Sequence, residues 1–306
     1  MKKLTIGIPK ALLYYQYKDL WTRFFENLGC DIVISPNTTK ETIELGKEYV
    51  LDEACLSMKI YMGHVYYLLD KCDYILTYRI ASLDKDERVC TNFTALYDLV
   101  KNNFNKRFIH FNIDKKNHED EEYAFITMGL SLGFPYSKVR RAYKDAKNYD
   151  TLMKERATNK QRMILGTSKR TKILLAGHSY NLYDNLIGKE VKDFLERMDV
   201  DVLYSDLYDK KYVDVDSKKI SRKSYFTHNK EIMGCVSSLE SEVDGIILIT
   251  TFPCGPDSLC NEMIVRYVSI PLITLTFDEL NSDTGLITRL ESFLDIIEER
   301  KKSYER

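Results

Sequence analysis

The stretch GIILITTFPCGP, residues 245–256, decides the fold class of this chain. Its apolar part is typical of a strand buried on both faces of a parallel sheet. Pro253 and Gly255-Pro256 end that strand, and helical periodicity follows over Ser258–Tyr267. A strand that turns directly into a helix predicts an α/β fold, in which ligands bind beyond the carboxyl ends of the strands. Cys254 lies at that position.

Similar apolar runs alternate with helical periodicity along the rest of the chain. Strands are predicted at 4–8, 31–34, 73–78 and 107–111 in the first half, and at 173–176, 201–203, 246–250 and 271–275 in the second. Helical periodicity covers 20–28, 48–69, 137–162, 191–198, 229–242, 258–267 and 284–305. Strands that alternate with helices predict parallel sheets with right-handed crossovers.

The two halves follow one plan. Residues 3–35 superpose on residues 173–205 without a gap, so that Gly7 falls on Gly177. The shared hydrophobic phase predicts an internal duplication. Shared α/β patterning alone could produce much of the same match.

We therefore expect two similar, doubly wound parallel-sheet domains that face each other across a cleft. The N-terminal domain, residues 1–150, carries Cys55 and Cys90. The C-terminal domain, residues 151–306, carries Cys254 and a C-terminal helix.

Composition argues against several classes of protein. The 306 residues have a formal net charge of −1, which gives no electrostatic case for nucleic-acid binding. No run of about 18 apolar residues occurs, so no membrane span is expected. The N-terminus, MKKLTIGIP, lacks an apolar region of signal-peptide length, which predicts a cytoplasmic protein. Seven cysteines without the spacing of a secreted framework favour metal binding or catalysis over disulfides.

The common nucleotide and hydrolase motifs are missing. The sequence has no P-loop, no GxGxxG after either leading strand, no HExxH and no GxSxG. His178 follows the leading strand of the second half. There it is suited to act as a proton donor or ligand at the crevice, and about equally to a capping or hydrogen-bonding role in the loop. His64 is predicted to be structural, and His110 to be a core histidine within a strand.

Three cysteines are candidate ligands. Cys55, Cys90 and Cys254 each lie near a predicted helix start or past a strand end, where a helix N-terminus favours a thiolate. Burial without function is the ordinary expectation for each one singly. As a set they suggest the convergent thiolates that iron–sulfur clusters need, although no compact CxxC spacing is present. Cys260 is the reserve ligand, and packing roles are predicted for Cys30, Cys72 and Cys235.

Several motifs resemble those of proteins related to 2-hydroxyacyl-CoA dehydratase subunits, including CoA-substrate-specific enzyme activase-related proteins. They are IGIPKAL at 6–12, DEAC at 52–55, GHV at 63–65, CGPDS at 254–258 and TGLITRL at 284–290. The resemblance extends over essentially the whole chain. It departs from the family at Ser57 and Thr91, where relatives have proline.

The resemblance implies an oxygen-sensitive 4Fe–4S cluster, or a double-cubane cluster as in some relatives, with Cys55, Cys90 and Cys254 as ligands. It also implies that an ATP-dependent activator protein delivers a low-potential electron. A CoA-thioester substrate would then be reduced or dehydrated, in a homo- or hetero-oligomer. Because the chain has no ATP-binding motif, it is similar to the electron-accepting component.

Three function classes stay open. The first is an enzyme or enzyme subunit, either a dehydratase-like lyase or a low-potential reductase. The second is a noncatalytic iron–sulfur accessory protein, and the third is a metal-free small-molecule binding protein. Iron in anaerobically purified protein favours the first two, and turnover with an activator and a CoA thioester separates them.

Overall fold

The computed structural model describes residues 3–84, 86–279 and 283–304. Within these ranges the chain forms two compact units. Unit 1 extends to Arg156 and also contains Tyr225–Thr227. Unit 2 begins at Ala157, is interrupted by that short segment, and resumes at His228.

Unit 1 is a parallel four-stranded sheet with the strand order β2-β1-β3-β4. Its strands are β1 (Thr5–Ile8), β2 (Asp31–Ile34), β3 (Tyr74–Ser82) and β4 (Phe108–Asp114). Its helices are α1 (Tyr14–Leu28), α2 (Lys40–Lys47), α3 (Leu56–Leu68), α4 (Thr91–Asn103) and α5 (Glu121–Ser131). The long helix α6 (Tyr136–Thr167) then carries the chain from unit 1 into unit 2.

Unit 2 repeats this arrangement with the strand order β6-β5-β7-β8, again all parallel. Its strands are β5 (Lys172–Gly177), β6 (Asp201–Tyr204), β7 (Gly245–Thr251) and β8 (Leu272–Phe277). Its helices are α7 (Ser179–Leu182), α8 (Gly188–Arg197), α9 (Val213–Asp216), α10 (Thr227–Leu239), α11 (Gly255–Tyr267) and α12 (Asp283–Tyr304). Short 3-10 turns occur at 115–117, 205–207, 217–219 and 240–242. The predicted α/β fold with two doubly wound parallel sheets is confirmed.

Aromatic side chains dominate the core of unit 1. Trp21 on α1 stacks on Tyr78 of β3 and meets Phe111 of β4 edge to face, with ring centroids 6.0 and 5.7 Å apart. Phe24 packs against Phe125 of α5 at 4.8 Å. Pairs in such arrangements contribute about 0.5–1.5 kcal/mol beyond their buried area. They fix α1 and α5 to one face of the sheet.

Helices α2 and α3 cross with their backbones in contact. A Cβ on Gly46 would lie 1.7 Å from the carbonyl oxygen of Lys59, and a Cβ on Gly63 would lie 1.9 Å from that of Thr42. Only glycine allows so close an approach. Most residues of α3 are buried, from Leu56 at its first turn to Leu68 at its last.

The helix predicted at 48–69 is wrong at its beginning. Residues 48–55 form turns, α3 begins at Leu56, and α2 was not predicted. The segment EYVLDEAC contains neither proline nor glycine, so the sequence carries no strong break between the two helices.

The C-terminal helix packs on the first residue of β7. A Cβ on Gly245 would lie 2.6 Å from Ile297 and 2.8 Å from Phe293, so the helix sits directly on the strand backbone. Leu290, Phe293 and Ile297 are buried, in agreement with the helical periodicity over 284–305. Its last predicted residue, Glu305, lies outside the described residues. No helix in the described ranges is long and apolar enough to cross a membrane.

The gap-free superposition of the halves holds for the second strand and fails for the first. Asp31 and Asp201 both begin the second strand of their sheets. However, Asp31 pairs with Thr5 and Asp201 pairs with Lys172. Thr5 is therefore equivalent to Lys172, and not to Leu175 as the superposition has it. The connection from first strand to second is longer in unit 2, which inserts the short helix α7.

Matching hydrogen bonds nevertheless support a repeated unit. The backbone N–H of Lys10 donates to the Ser35 hydroxyl at 2.7 Å, and that of Gly177 donates to the Ser205 hydroxyl at 3.1 Å. Both serines follow the second strand. Ser35 holds the loop just after the first strand of unit 1, and Ser205 holds the last residue of the first strand of unit 2. The superposition paired these two serines correctly.

The segment Tyr225–Thr227 adds a short parallel bridge to unit 1. Phe226 pairs with Arg88. The Arg88 N–H donates to the Tyr225 carbonyl at 3.0 Å, and the Thr227 N–H donates to the Arg88 carbonyl at 3.1 Å. The loop that leads to Cys90 is thus held by a piece of chain from late in the sequence.

Candidate functional site

Cys254 stands at the N-cap of α11, just beyond the carboxyl end of β7. Its backbone is extended, and Pro256 lies in the first turn of the helix, where a missing N–H costs no hydrogen bond. Ser258 donates to the Cys254 carbonyl from both its N–H and its hydroxyl, at 3.0 and 2.8 Å. Ser258 therefore completes the first turn, while the half-buried Cys254 thiol lies at a helix N-terminus that favours a thiolate.

Cys55 and Cys90 hold the same position on two helices of unit 1. They are the N-cap residues of α3 and α4, respectively, and both are half-buried. Asn92, in the first turn of α4, lies with its Nδ2 3.9 Å from the Cys55 Sγ. The Thr94 hydroxyl donates to the Ile80 carbonyl at 3.2 Å and fixes α4 to β3. The structure thus brings the N-terminus of α4 to the thiol of Cys55.

No metal-binding group is evident among residues 3–84, 86–279 and 283–304: they contain no set of three or more His, Cys, Asp or Glu side chains placed to hold an ion. Cys55 and Cys90 belong to unit 1, and Cys254 belongs to unit 2. The convergence of the three thiols stays a prediction. All seven cysteines are thiols, with no disulfide.

The other cysteines pack into their units. Cys30 and Cys235 are buried as predicted, and Cys72 is half-buried, with its thiol donating to the Leu68 carbonyl at 3.2 Å. The reserve ligand Cys260 is buried inside α11, and burial raises its pKa to about 12. Protonation and burial both make Cys260 a poorer ligand than a thiol at a helix N-terminus.

A buried hydrogen-bonded cluster lies at the carboxyl ends of β5 and β7 in unit 2. His178 follows β5, and its Nε2 lies 2.8 Å from Oδ1 of Asp257, in the first turn of α11. Asn229 Nδ2 also donates to Oδ1, at 2.9 Å, and the Thr250 hydroxyl donates to Oδ2 at 3.0 Å. The side chains of His178 and Asp257 are only 9% and 6% exposed.

The two groups of this pair stabilise each other's charged forms. Burial alone would raise the pKa of Asp257, but the charge and hydrogen bond of His178, with the bonds from Asn229 and Thr250, hold that pKa well below its usual range. Burial alone would lower the pKa of His178, but the Asp257 carboxylate outweighs burial and raises it. His178 and Asp257 therefore form a buried ion pair.

Aromatic and charged neighbours enclose the His178 imidazole. The Tyr180 ring stacks on it at a centroid distance of 4.9 Å, and the His228 ring meets it edge on at 5.6 Å. His228 Nδ1 lies 3.2 Å from Glu231, whose carboxylate also accepts from the Lys210 ammonium at 2.6 Å. Asp257 is thus the carboxylate that bonds to His178, and the nearby Glu231 carboxylate bonds to His228 and Lys210.

Residues 5–207 match the family described as the CoA enzyme activase uncharacterised domain (DUF2229), over more than half of the chain. The chain belongs to this family. The predicted resemblance to CoA-substrate enzyme activase-related proteins is therefore confirmed. The matched region includes Cys55, Cys90 and His178, and it ends before Cys254 and Asp257. Comparison with curated proteins gives no match.

Solved structures with similarity to this family member are distant from it. The Zn(II)-bound AdcAII mutant variant of Streptococcus pneumoniae is 10% identical, with a TM-score of 0.31, and the match covers 97% of this chain and 99% of that one. FpvC of Pseudomonas aeruginosa in complex with Ni²⁺ is 12% identical, with a TM-score of 0.31, over 99% of this chain and 98% of that one. TM-scores this low carry no argument about this chain.

The donor atoms suit an iron–sulfur group in kind. Such clusters are held by thiolates, and a helix N-terminus lowers the pKa of a thiol. Unit 1 offers two thiols, of Cys55 and Cys90, at helix N-termini that the Asn92 contact brings together. Unit 2 offers one, of Cys254. Glu53, two residues before Cys55, is exposed.

Of the two roles predicted for histidines of unit 1, the structure agrees with one and contradicts the other. His64 is buried, its Nε2 lies 3.0 Å from the Thr38 hydroxyl, and burial together with the charge of Lys10 lowers its pKa to about 3. A neutral, buried His64 agrees with the expected structural role. His110 is exposed on β4, against the ring of Tyr97, so the expectation of a core histidine is wrong.

Sequence reasoning missed the partners of His178. Asp257 lies in the CGPDS motif, and an acidic residue in the first turn of a helix suggests favourable helix-dipole contact more readily than a partner for a distant histidine. Thr250 is the last residue of a predicted strand, and His178 follows another. The carboxyl ends of parallel strands lie at one edge of the sheet, so the sequence could have placed these two residues near each other. Asn229 carried no signal at all.

Proposed function

We propose that this chain is an iron–sulfur protein of CoA-thioester metabolism that accepts one electron at a 4Fe–4S cluster held by Cys55, Cys90 and Cys254. It would serve as the electron-accepting component of a 2-hydroxyacyl-CoA dehydratase-like lyase or of a low-potential reductase. The observation that carries the proposal is the position shared by the three cysteines, each the N-cap residue of a helix.

The shared position matters because of what it does to a thiol. Each of the three helices has 13 residues, long enough for its dipole to favour an anion at the N-terminus. Three thiols at helix N-termini are thus disposed to ionise, and thiolates are the ligands of iron–sulfur clusters. The buried thiols of Cys235 and Cys260 have raised pKa values instead.

Residues of the chain would also tune such a site. When bound, a cluster of this kind supplies one electron at low potential. Hydrogen bonds to ligand sulfurs help to set the reduction potential, and the Asn92 amide is placed to donate one to Cys55. The bond from Thr94 to the β3 backbone holds Asn92 in place.

Membership in the CoA enzyme activase family supports a CoA thioester as the substrate class. The sequence contains no P-loop, so ATP hydrolysis would belong to a separate activator protein that donates the electron. The partners we propose are therefore an ATP-dependent activator and a CoA-thioester substrate.

Metal analysis of anaerobically purified protein tests the proposal. We expect about four irons and matching sulfide per chain, with an electron paramagnetic resonance signal after reduction. Cys254→Ser should lose most of the iron while circular dichroism shows that the fold is kept. Cys235→Ser, a matched change at a buried packing residue, should keep its iron.

Each outcome of this experiment decides something. Equal iron in both variants would show that Cys254 is not a ligand. Wild-type protein that binds no iron after reconstitution with iron and sulfide would overturn the proposal and favour a metal-free small-molecule binding protein. Iron without turnover, in the presence of an activator and a 2-hydroxyacyl-CoA, would favour a noncatalytic accessory protein.

A further inference from the structure

The carboxylate of Asp257 holds His178 in a fixed orientation. Its two oxygens accept from three groups on three different elements: the ring of His178 after β5, the amide of Asn229 on α10 and the hydroxyl of Thr250 on β7. An ionised carboxylate only accepts hydrogen bonds, so the His178 Nε2 must carry the proton of the shared bond. The other ring nitrogen, Nδ1, is then the one that can serve a ligand.

The position of this pair in the sheet is where doubly wound folds bind ligands. In the order β6-β5-β7-β8, the chain builds outward from β5 in both directions, so the reversal falls between β5 and β7. His178 follows β5. Thr250 lies at the carboxyl end of β7, and Asp257 lies in the first turn of the following helix, α11. Ligands of open α/β sheets bind at this crevice.

A stabilising role alone accounts poorly for the pair. Removing two opposite charges from water costs energy that their attraction often fails to recover, so a buried ion pair is weak support for stability. A histidine whose one nitrogen is fixed by a carboxylate, itself fixed by further donors, is instead the arrangement that orients an imidazole for proton transfer. The titratable groups nearby are Glu231, Lys210 and His228, and Glu231 bonds to both of the others. The ring stacked on His178 is that of Tyr180.

We propose that His178 is the acid–base residue of unit 2, with Asp257 as its positioning residue, and that it acts on the acyl part of a 2-hydroxyacyl thioester. This assignment rests on the function proposed above. Nδ1 of the imidazolium gives its proton to the 2-hydroxyl group as the C2–O bond breaks, which releases water. In the proposed dehydratase, one electron would enter the thioester before the C2–O bond breaks and would leave it after the neutral imidazole takes a proton from C3 and the C2–C3 double bond forms. The dehydration then consumes no net electrons, and His178 ends protonated, as it began.

Kinetic comparison of three variants tests the assignment. His178→Gln keeps a donor to Asp257 but cannot transfer the proton, and Asp257→Asn removes the charge that fixes the tautomer. His110→Gln, an exposed histidine of unit 1, is the matched control. With anaerobic protein, activator and lactoyl-CoA, we expect His178→Gln to lower kcat about 10²–10⁴-fold with little change in KM. Asp257→Asn should lower kcat and shift the pH profile, and His110→Gln should do neither.

Iron content and imidazole spectra separate the possible failures. All three variants should hold as much iron as the wild type, because none of them removes a thiol. If the wild type lacks iron or turnover, the proposed function falls and this assignment falls with it. If the wild type turns over and His178→Gln retains its kcat, the assignment alone is overturned. Nitrogen-15 spectra of wild-type histidines should show His178 protonated at Nε2, and a neutral Nδ1–H tautomer would contradict the geometry.

Discussion

Asp257→Ala should destabilise the protein and reverse part of its pH dependence. The change leaves three buried donors, on His178, Asn229 and Thr250, without their acceptor. Breaking a buried ion pair by removing one partner costs about 3–5 kcal/mol, and a single unsatisfied buried donor costs about 1–3 kcal/mol. We therefore expect the free energy of unfolding to fall by about 3–5 kcal/mol near neutral pH.

The sign of the pH dependence follows from the two pKa shifts. The folded pKa of His178 is raised above its unfolded value of about 6.5, so its contribution is fully present below that pH and is lost as the pH rises through the folded pKa. The folded pKa of Asp257 is depressed, so its contribution is present above about pH 3.9 and is lost as the pH falls through the folded pKa. The pair stabilises most between these limits.

In Asp257→Ala the contribution of His178 changes sign. Burial without a counter-charge lowers its pKa below the unfolded value, so stability rises with pH through about 6.5, by at most about 1.4 kcal/mol per pH unit. His64, whose pKa is lowered by burial, contributes equally to both proteins and cancels in their difference. Only the change in slope between wild type and variant therefore reports on His178.

Urea unfolding followed by far-ultraviolet circular dichroism, between about pH 5 and pH 8, measures both effects. Asp193→Ala is the matched control, because Asp193 is a more exposed carboxylate of unit 2 paired with Lys189 and should cost no more than about 1 kcal/mol. A loss in Asp257→Ala no larger than in this control would refute the reasoning. Parallel pH slopes for the wild type and Asp257→Ala would refute it as well.

Two further experiments probe the packing of α3 and the reactivity of the thiols. Gly63→Ala should destabilise by about 1–3 kcal/mol or more in urea unfolding, because its Cβ would lie 1.9 Å from a backbone oxygen. Gly166 lies on α6, and a Cβ there would have nothing within 4 Å, so Gly166→Ala should stabilise the protein by about 0.5–1 kcal/mol. Equal changes in the free energy of unfolding for the two variants would contradict the crossing of α2 and α3. In chelator-treated protein, iodoacetamide should alkylate the half-buried Cys254 well before Cys260, which is buried and whose pKa burial raises to about 12. Mass spectrometry follows the reaction, and equal rates would contradict this difference in burial.

The sheets were predictable because their strands are largely apolar runs bounded by clear breaks. Asp31–Ile34 was predicted residue for residue. The error over 48–55 arose because that stretch contains no proline or glycine to mark the end of α2 and the start of α3. The exposed His110 was predictable after all: it alternates with the buried Ile109 and Phe111 along β4, and period-two alternation places it on the other face.

The candidate site divides in the same way. The N-cap position of Cys254 was predictable, since proline and glycine mark the end of β7 and the start of α11. The partners of His178 were not, because Asp257 and Asn229 are far from it in sequence and meet it only through the order of the strands. A single sequence shows which segments are strands more readily than it shows which strands lie next to each other in the sheet.

The bridge between Arg88 and Phe226 limits where the chain can be truncated to express unit 1 alone. A fragment that stops at Arg156 contains the continuous part of unit 1. It lacks Tyr225–Thr227, so unit 1 is incomplete in it. The Arg88 N–H and carbonyl would lose their backbone partners two residues before Cys90. A fragment meant to retain the Cys90 loop must therefore carry the 225–227 segment on a linker or receive it as a separate peptide.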